Sequence, residues 1–228
     1  KVNKLYQNIV RGMKGNYLGI PTDCPQRDER YGWTGDTEVF CGAASYIADT
    51  YDFLSKYLGD MRDSQIGRDG AYTDICPAVF AEKFCGTAAW GDAGIIIPYK
   101  LWLMYGDDTV IRRHYDSMEE YMCYIERKNG LNGANAWYAD WLSYEQTDKL
   151  YVSICYYYNN AVIMQRFSEI LSKANRAEYY KDLSEKILAH YFEKYVLNNE
   201  ITETSQTAYL LPLYFDMLDD KVRENAIK

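Results

Sequence analysis

The residues best equipped for chemistry stand together between Asp23 and Asp36, in the run DCPQRDERYGWTGD. Fourteen residues carry four carboxylates (Asp23, Asp28, Glu29, Asp36), two arginines (Arg27, Arg30) and Trp33, broken by Pro25, Gly32 and Gly35. Unpaired charges are not buried without partners, and neither proline nor glycine suits a helix interior. The spacing therefore predicts a rigid loop feeding a helix that starts near Asp36. One reading is a solvated loop with local ion pairs and Asp36 as a helix cap. A tryptophan between glycines has no use in such a loop. Alternating acids and arginines instead form a fixed network in which one carboxyl can hold a proton while its neighbours stay ionised. Glycosidic bond cleavage needs that arrangement: an acid for the leaving oxygen, carboxylates for hydroxyls, and an aromatic face for the C–H surface of a sugar.

The elements that must position this loop read as helices in pairs. Helices are expected over 2–13, from Asp36 to about 47 with Val39, Phe40, Ala43, Ala44 and Ile47 on one stripe, and from Tyr51 to a stop by Gly67. A long loop over 67–90 delivers Asp74 and ends at Trp90-Gly91-Asp92, where Asp92 is expected to cap the helix 91–105. Pro98 is expected to kink that helix or mark its start. Gly106 stops it, and Asp107-Asp108 cap a helix to about Lys128 that carries Ile111, Tyr115, Met118, Met122 and Ile125. The Asn-Gly-rich turn 129–135 leads to Trp137 through Trp141. A helical hairpin follows over 149–172 and 176–195, then a loop over 198–205 and a helix over 206–218. Three tryptophans, Trp33, Trp90 and Trp141, fall in segments that precede helices, which suggests a common cleft; Asp140 beside Trp141 is a substrate contact in this reading.

Eight helices and no strand-rich region place the chain in the all-α class. At 228 residues with 48% hydrophobic residues it can build a sizeable core. The net charge of −8 argues against nucleic acid or an anionic membrane as partner, and no apolar run is long enough to span a membrane. Tyrosine is in excess, with 24 against 7 Phe. Most of these are expected half-buried between helices. The six cysteines form no CxxC or Cys/His cluster and the only histidines are His114 and His190, so neither a metal nor a cofactor is expected. Free thiols fit a reducing, cytoplasmic setting. Cys24 is a poor nucleophile with no histidine near in sequence, and His114 reads as packed rather than catalytic.

The run from Asp23 to Asp36 closely resembles the signature of the bacterial α-L-rhamnosidases, inverting glycoside hydrolases with an (α/α)6 barrel. Ala89-Trp90-Gly91-Asp92-Ala93, Tyr138-Ala139-Asp140-Trp141-Leu142 and Ser205-Gln206-Thr207-Ala208-Tyr209 match further pieces in order. The resemblance implies Glu29 as general acid, with Asp23, Arg27, Asp28, Trp33, Asp36, Trp90 and Trp141 lining a pocket for a terminal rhamnose of a glycoside or oligosaccharide. It implies a general base in a Trp-Glu-Arg-Trp-like motif that these 228 residues lack. The whole chain then corresponds to the N-terminal two-thirds of a six-hairpin domain. A partly built ring leaves apolar helix faces uncovered, so a homodimer is an expected partner arrangement. The rival readings are an inverting hydrolase for another deoxysugar or a uronide, and a carbohydrate-binding module without chemistry. Four carboxylates exceed what stacking alone requires. A helical repeat protein finds no support, because no fixed-period self-similarity occurs.

Overall fold

In a computed structural model of the chain, residues 1–80 and 84–228 are described. The helical reading holds. Among the described residues stand nine α-helices: α1 Val2–Asn16, α2 Thr34–Ile47, α3 Tyr51–Gln65, α4 Ala93–Tyr105, α5 Thr109–Asn129, α6 Lys149–Ile170, α7 Ala174–Tyr195, α8 Gln206–Tyr214 and α9 Asp220–Ala226. Two antiparallel hairpins of two-residue strands join them, β1 Tyr17–Leu18 with β2 Ile20–Pro21, and β3 Val196–Leu197 with β4 Glu200–Ile201. The second falls where a loop was expected. No described helix is long and apolar enough to cross a membrane.

The chain divides into two compact units, one of residues 1–86 and 90–121, the other of 87–89 and 122–228. In the first unit α4 packs on both α2 and α3. α4 is buried almost all round, from Ala93 to Pro98 and again at Leu101, as its apolar composition requires. It begins at Ala93, so Pro98 lies inside the helix rather than at its start. Gly106 ends it in the left-handed conformation at φ 70°, where a glycine has no Cβ penalty. Asp92 sits at the N-cap position without capping, because its side chain is drawn instead to the Tyr121 hydroxyl, 3.0 Å from Oδ1. Asp107 does cap α5: its Oδ1 accepts from the Thr109 N–H at 2.8 Å.

α2 differs from expectation in its face. Its buried side is Thr34, Thr37, Glu38, Cys41 and Ala44, whereas Val39 is 79% exposed. The helix carries apolar residues on two sides, so periodicity did not settle which side packs. α1 extends three residues beyond its expected end and buries only Met13. The stripe along α5 is buried at all five expected positions, and His114 beside it is buried too.

In the second unit α6 and α7 form the expected hairpin, with Tyr157, Ala161 and Met164 of α6 and Tyr180, Leu183, Ile187 and Tyr191 of α7 buried. Some of the buried tyrosine hydroxyls pair, whereas that of Tyr157 is buried without a hydrogen-bond partner. The Tyr151 hydroxyl donates to the Ala208 carbonyl at 2.5 Å and lies 2.8 Å from that of Tyr191. All six cysteines are free thiols, three of them buried.

Candidate functional site

The acidic loop is clamped at both ends. At its entry, β1 and β2 turn through Gly19, and the Asn16 carbonyl accepts from both the backbone N–H and the hydroxyl of Thr22, at 2.9 and 2.8 Å. Asp23 then pairs across the loop with Tyr31: its N–H donates to the Tyr31 carbonyl at 3.0 Å, and its Oδ1 accepts from the Tyr31 N–H at 3.1 Å. At the exit, the Gly32 carbonyl accepts from Cys76 N–H at 2.8 Å and from the buried Tyr57 hydroxyl at 2.9 Å. A Cβ on Gly32 would sit 2.1 Å from the Cys76 carbonyl oxygen, so only glycine allows this approach. α2 starts two residues earlier than expected, at Thr34, whose N–H and hydroxyl both reach the Asp74 carbonyl, at 2.9 and 3.1 Å. Asp36 therefore lies in the first turn of the helix and not at its cap.

Within this frame Glu29 is held at both oxygens. Oε1 accepts from the Trp33 indole N–H at 3.1 Å, and Oε2 accepts from Arg27, with Nε at 2.8 Å and Nη2 at 2.5 Å. Glu29 is mostly shielded while Arg27 is largely exposed. A chain of rings encloses the carboxyl's neighbourhood: Trp33 against Phe84 at 6.0 Å, Phe84 against Phe80 at 5.5 Å, and Phe80 against Tyr31 at 5.3 Å between centroids. The sequence pattern did not single out Phe80 and Phe84, because they sit in a segment without periodicity.

Carboxylate oxygens of Asp23 and Glu29 and the Cys24 sulfur lie within 4.8 Å of one another. Burial pushes the Asp23 carboxyl up, but hydrogen bonds from the Cys24 thiol and backbone and from Glu29 outweigh it and hold it below the usual range. The same bond to Asp23 raises the Cys24 thiol. A thiol kept protonated is neither a nucleophile nor a good metal ligand, so the cluster receives no metal assignment. Asp36 moves the other way. Crowding by surrounding protein raises its carboxyl, aided by the charges of Asp23 and Glu29, although the side chain remains open to solvent.

Asp23 and Asp36 face one concavity of about 610 Å³, lined also by Asn16, Tyr17, Thr37 and Phe40. The Asn16 Oδ1 and the Tyr17 hydroxyl are buried there without hydrogen-bond partners. Neither residue stood out in the sequence. Tyr17 stacks on Phe53 at 4.7 Å. Asp28, by contrast, points outward: its side chain is fully exposed and pairs with Arg30 at 3.7 Å. Trp90 is half-buried in the turn ahead of α4, its carbonyl accepting from Ala93 N–H at 3.1 Å.

Asp140 and Trp141 belong to the second unit. Trp141 is 62% exposed and meets Tyr138 edge-on at 5.8 Å. Asp140 ends a buried relay: the Ala208 N–H donates to Ser205 Oγ at 3.2 Å, the Ser205 and Thr147 hydroxyls lie 2.6 Å apart, and Thr147 donates to Asp140 Oδ2 at 3.0 Å. Ser205 is the N-cap of α8. Thr147 was the missing link, since nothing in its local sequence announces a role.

Comparison with known proteins gives the same family along the whole chain. Residues 1–228 match the family described as bacterial alpha-L-rhamnosidase 6 hairpin glycosidase domain. An alpha-L-rhamnosidase of Streptomyces avermitilis is 38% identical over 99% of this chain and 22% of its own length, and one of Formosa agariphila is 32% identical over 99% of this chain and 25% of its own. The crystal structure of the Streptomyces avermitilis alpha-L-rhamnosidase complexed with L-rhamnose superposes with a TM-score of 0.93 at 37% identity, covering 99% of this chain and 22% of that one. The native enzyme from Aspergillus terreus gives 0.91 at 30%, covering 99% and 28%. The chain thus spans about a quarter of the length of the relatives it matches. With the acidic loop, the paired helices and a match over every residue, the chain belongs to the bacterial alpha-L-rhamnosidase six-hairpin glycosidase family.

Proposed function

We propose that this chain supplies the general acid and much of the sugar pocket of a glycoside hydrolase that removes terminal α-L-rhamnose with inversion. The observation that carries the reading is the placement of Glu29, held between Trp33 and Arg27 in a loop whose other carboxylates flank it. In the reaction, Glu29 donates its proton to the glycosidic oxygen as the bond to the anomeric carbon breaks, and water enters from the opposite face. The exposed Arg27 is free to leave Oε2 for a substrate hydroxyl. Asp23 and Asp36 accept from sugar hydroxyls in the concavity they share. In the first unit Trp33 and Trp90 offer ring faces, while Asp28 points away from them; in the second unit Trp141 and Asp140 offer a ring face and a carboxylate of their own.

The general base belongs to residues outside these 228. Asp23 is a poor candidate, since its carboxylate lies within 4.8 Å of Glu29 and an inverting pair stands about 6.5–9.5 Å apart to admit water. In this proposal residues 1–228 are the N-terminal part of a six-hairpin domain: two-thirds by the eight helices expected from sequence, and nearer three-quarters by the nine helices among the described residues, where six hairpins need twelve. Self-association is part of the same proposal. α1 carries an exposed apolar stripe of Val2, Leu5, Tyr6 and Ile9, and its only charges are basic in a chain of net charge −8, which suits a second copy as partner.

Hydrolysis of p-nitrophenyl α-L-rhamnoside by the complete gene product tests the reading. Turnover that collapses in Glu29→Gln, with β-L-rhamnose as the first product seen by NMR, is the expected result. Turnover of another deoxysugar or a uronide in its place favours the sister hydrolase, and sugar binding without any turnover favours a binding module.

A further inference from the structure

The second unit holds a concavity that shares no residue with the acidic loop. It occupies about 820 Å³ between the end of α5, the strip 134–137 and the first turns of α6. The strip is pinned by groups other than its own side chains. Asn129 Nδ2 donates to the Gly133 carbonyl at 2.9 Å, Ser153 Oγ donates to the Ala134 carbonyl, Ala88 N–H donates to the Asn135 carbonyl at 2.6 Å, and Lys149 Nζ donates to the Trp137 carbonyl at 2.9 Å. Gly133, at φ 79°, presses on α6 so closely that a Cβ would meet the Ser153 carbonyl oxygen at 2.6 Å. A backbone fixed at so many points leaves the side chains of Asn135 and Trp137 projecting to solvent with nothing to hold inside the protein.

Trp137 is 68% exposed, and neither its ring nor its indole N–H has a partner among the described residues. The Asn135 amide is likewise exposed and unpaired. Asn132 spends Oδ1 on His190 Nε2 at 3.0 Å, which leaves its amide donors for a ligand. Amides offer donor and acceptor together, as vicinal hydroxyls require, and an indole face suits the C–H side of a pyranose. The lining has one cation, Lys149, and no carboxylate. A single ammonium in a chain of net charge −8 is too little for a phosphate-rich ligand, and the amides exclude a purely apolar one.

We propose that this groove is a second carbohydrate site, with a pyranose ring stacked on Trp137 and its hydroxyls on the amides of Asn135 and Asn132. It holds a glycan chain at a place where no bond is cut. The probe is a neutral hexasaccharide of α-linked rhamnose, titrated calorimetrically into the complete gene product with Glu29→Gln to keep the ligand intact. Adding Trp137→Ala or Asn135→Ala is expected to weaken binding at least about tenfold or to remove one of two sites, with the helical circular dichroism unchanged. Trp137→Ala in the Glu29 background is expected to leave hydrolysis of p-nitrophenyl α-L-rhamnoside unchanged. Equal affinity and stoichiometry in both added variants overturns the site, and so does loss of small-substrate turnover in Trp137→Ala. If the wild type hydrolyses no rhamnoside but Trp137→Ala still loses hexasaccharide, the catalytic reading fails and this one stands.

Discussion

The Trp33 indole N–H donates to Glu29 Oε1 at 3.1 Å, joining the residue before α2 to the carboxyl four positions upstream. Trp33 thereby does more than present a ring, because it fixes which oxygen of Glu29 faces Arg27. Trp33→Phe keeps an aromatic face and deletes the donor. A hydrogen bond to a charged group contributes about 1.5–3 kcal/mol, so kcat/KM for p-nitrophenyl α-L-rhamnoside is expected to fall by about 10- to 150-fold. An unchanged kcat/KM would mean that the bond plays no part in setting Glu29.

Gly32 is the hinge pin of the loop exit. Gly32→Ala places a methyl against the Cys76 carbonyl, a backbone atom that cannot rotate away, and disturbs the Tyr57 and Cys76 bonds to Gly32 O. The expected cost is about 3 kcal/mol, seen as a lower midpoint in urea with an unchanged slope.

Thr147 tests whether the buried relay in the second unit positions Asp140. Thr147→Val keeps the shape and removes the hydroxyl between Ser205 and Asp140, leaving the buried Ser205 Oγ short of a partner. A loss of about 1–3 kcal/mol in stability is expected. Thr147→Ser, which restores the hydroxyl, should recover most of it.

His114 predicts a pH dependence. Burial pushes its pKa down from 6.5 to about 4, reinforced by Arg62 and Arg113 and opposed by Asp63. The unfolded chain therefore binds a proton near pH 6.5 that the folded chain refuses until about pH 4. Stability from this site is complete above pH 6.5 and is lost as pH falls to about 4, by about 3 kcal/mol in all. Urea midpoints of wild type and His114→Phe at pH 7, 5.5 and 4.5 should diverge in slope across that window, with the variant the flatter.

The stripe on α1 should drive self-association. Leu5→Glu with Ile9→Glu is expected to reduce the sedimentation coefficient of a dimer to that of a monomer, and a wild type already monomeric at high concentration rejects the proposal.

The sequence by itself determined the helical class, the pairing of helices and the acidic stretch proposed to carry the chemistry. α5, α6 and α7 were legible because their apolar residues recur on one side only, and the acidic loop because charges, glycines and a tryptophan seldom coincide without a task. Tertiary structure decided what periodicity leaves open. α2 and α4 are apolar on more than one side, so only packing chose the buried face of α2. Asp92 and Asp36 sit where caps are expected, yet a distant tyrosine and a neighbouring carbonyl took over the bonds that define those positions. Asn16, Tyr17, Phe80, Phe84 and Thr147 reached the sites through contacts between segments remote in sequence or lacking regular period, which a pattern of nearest neighbours does not record.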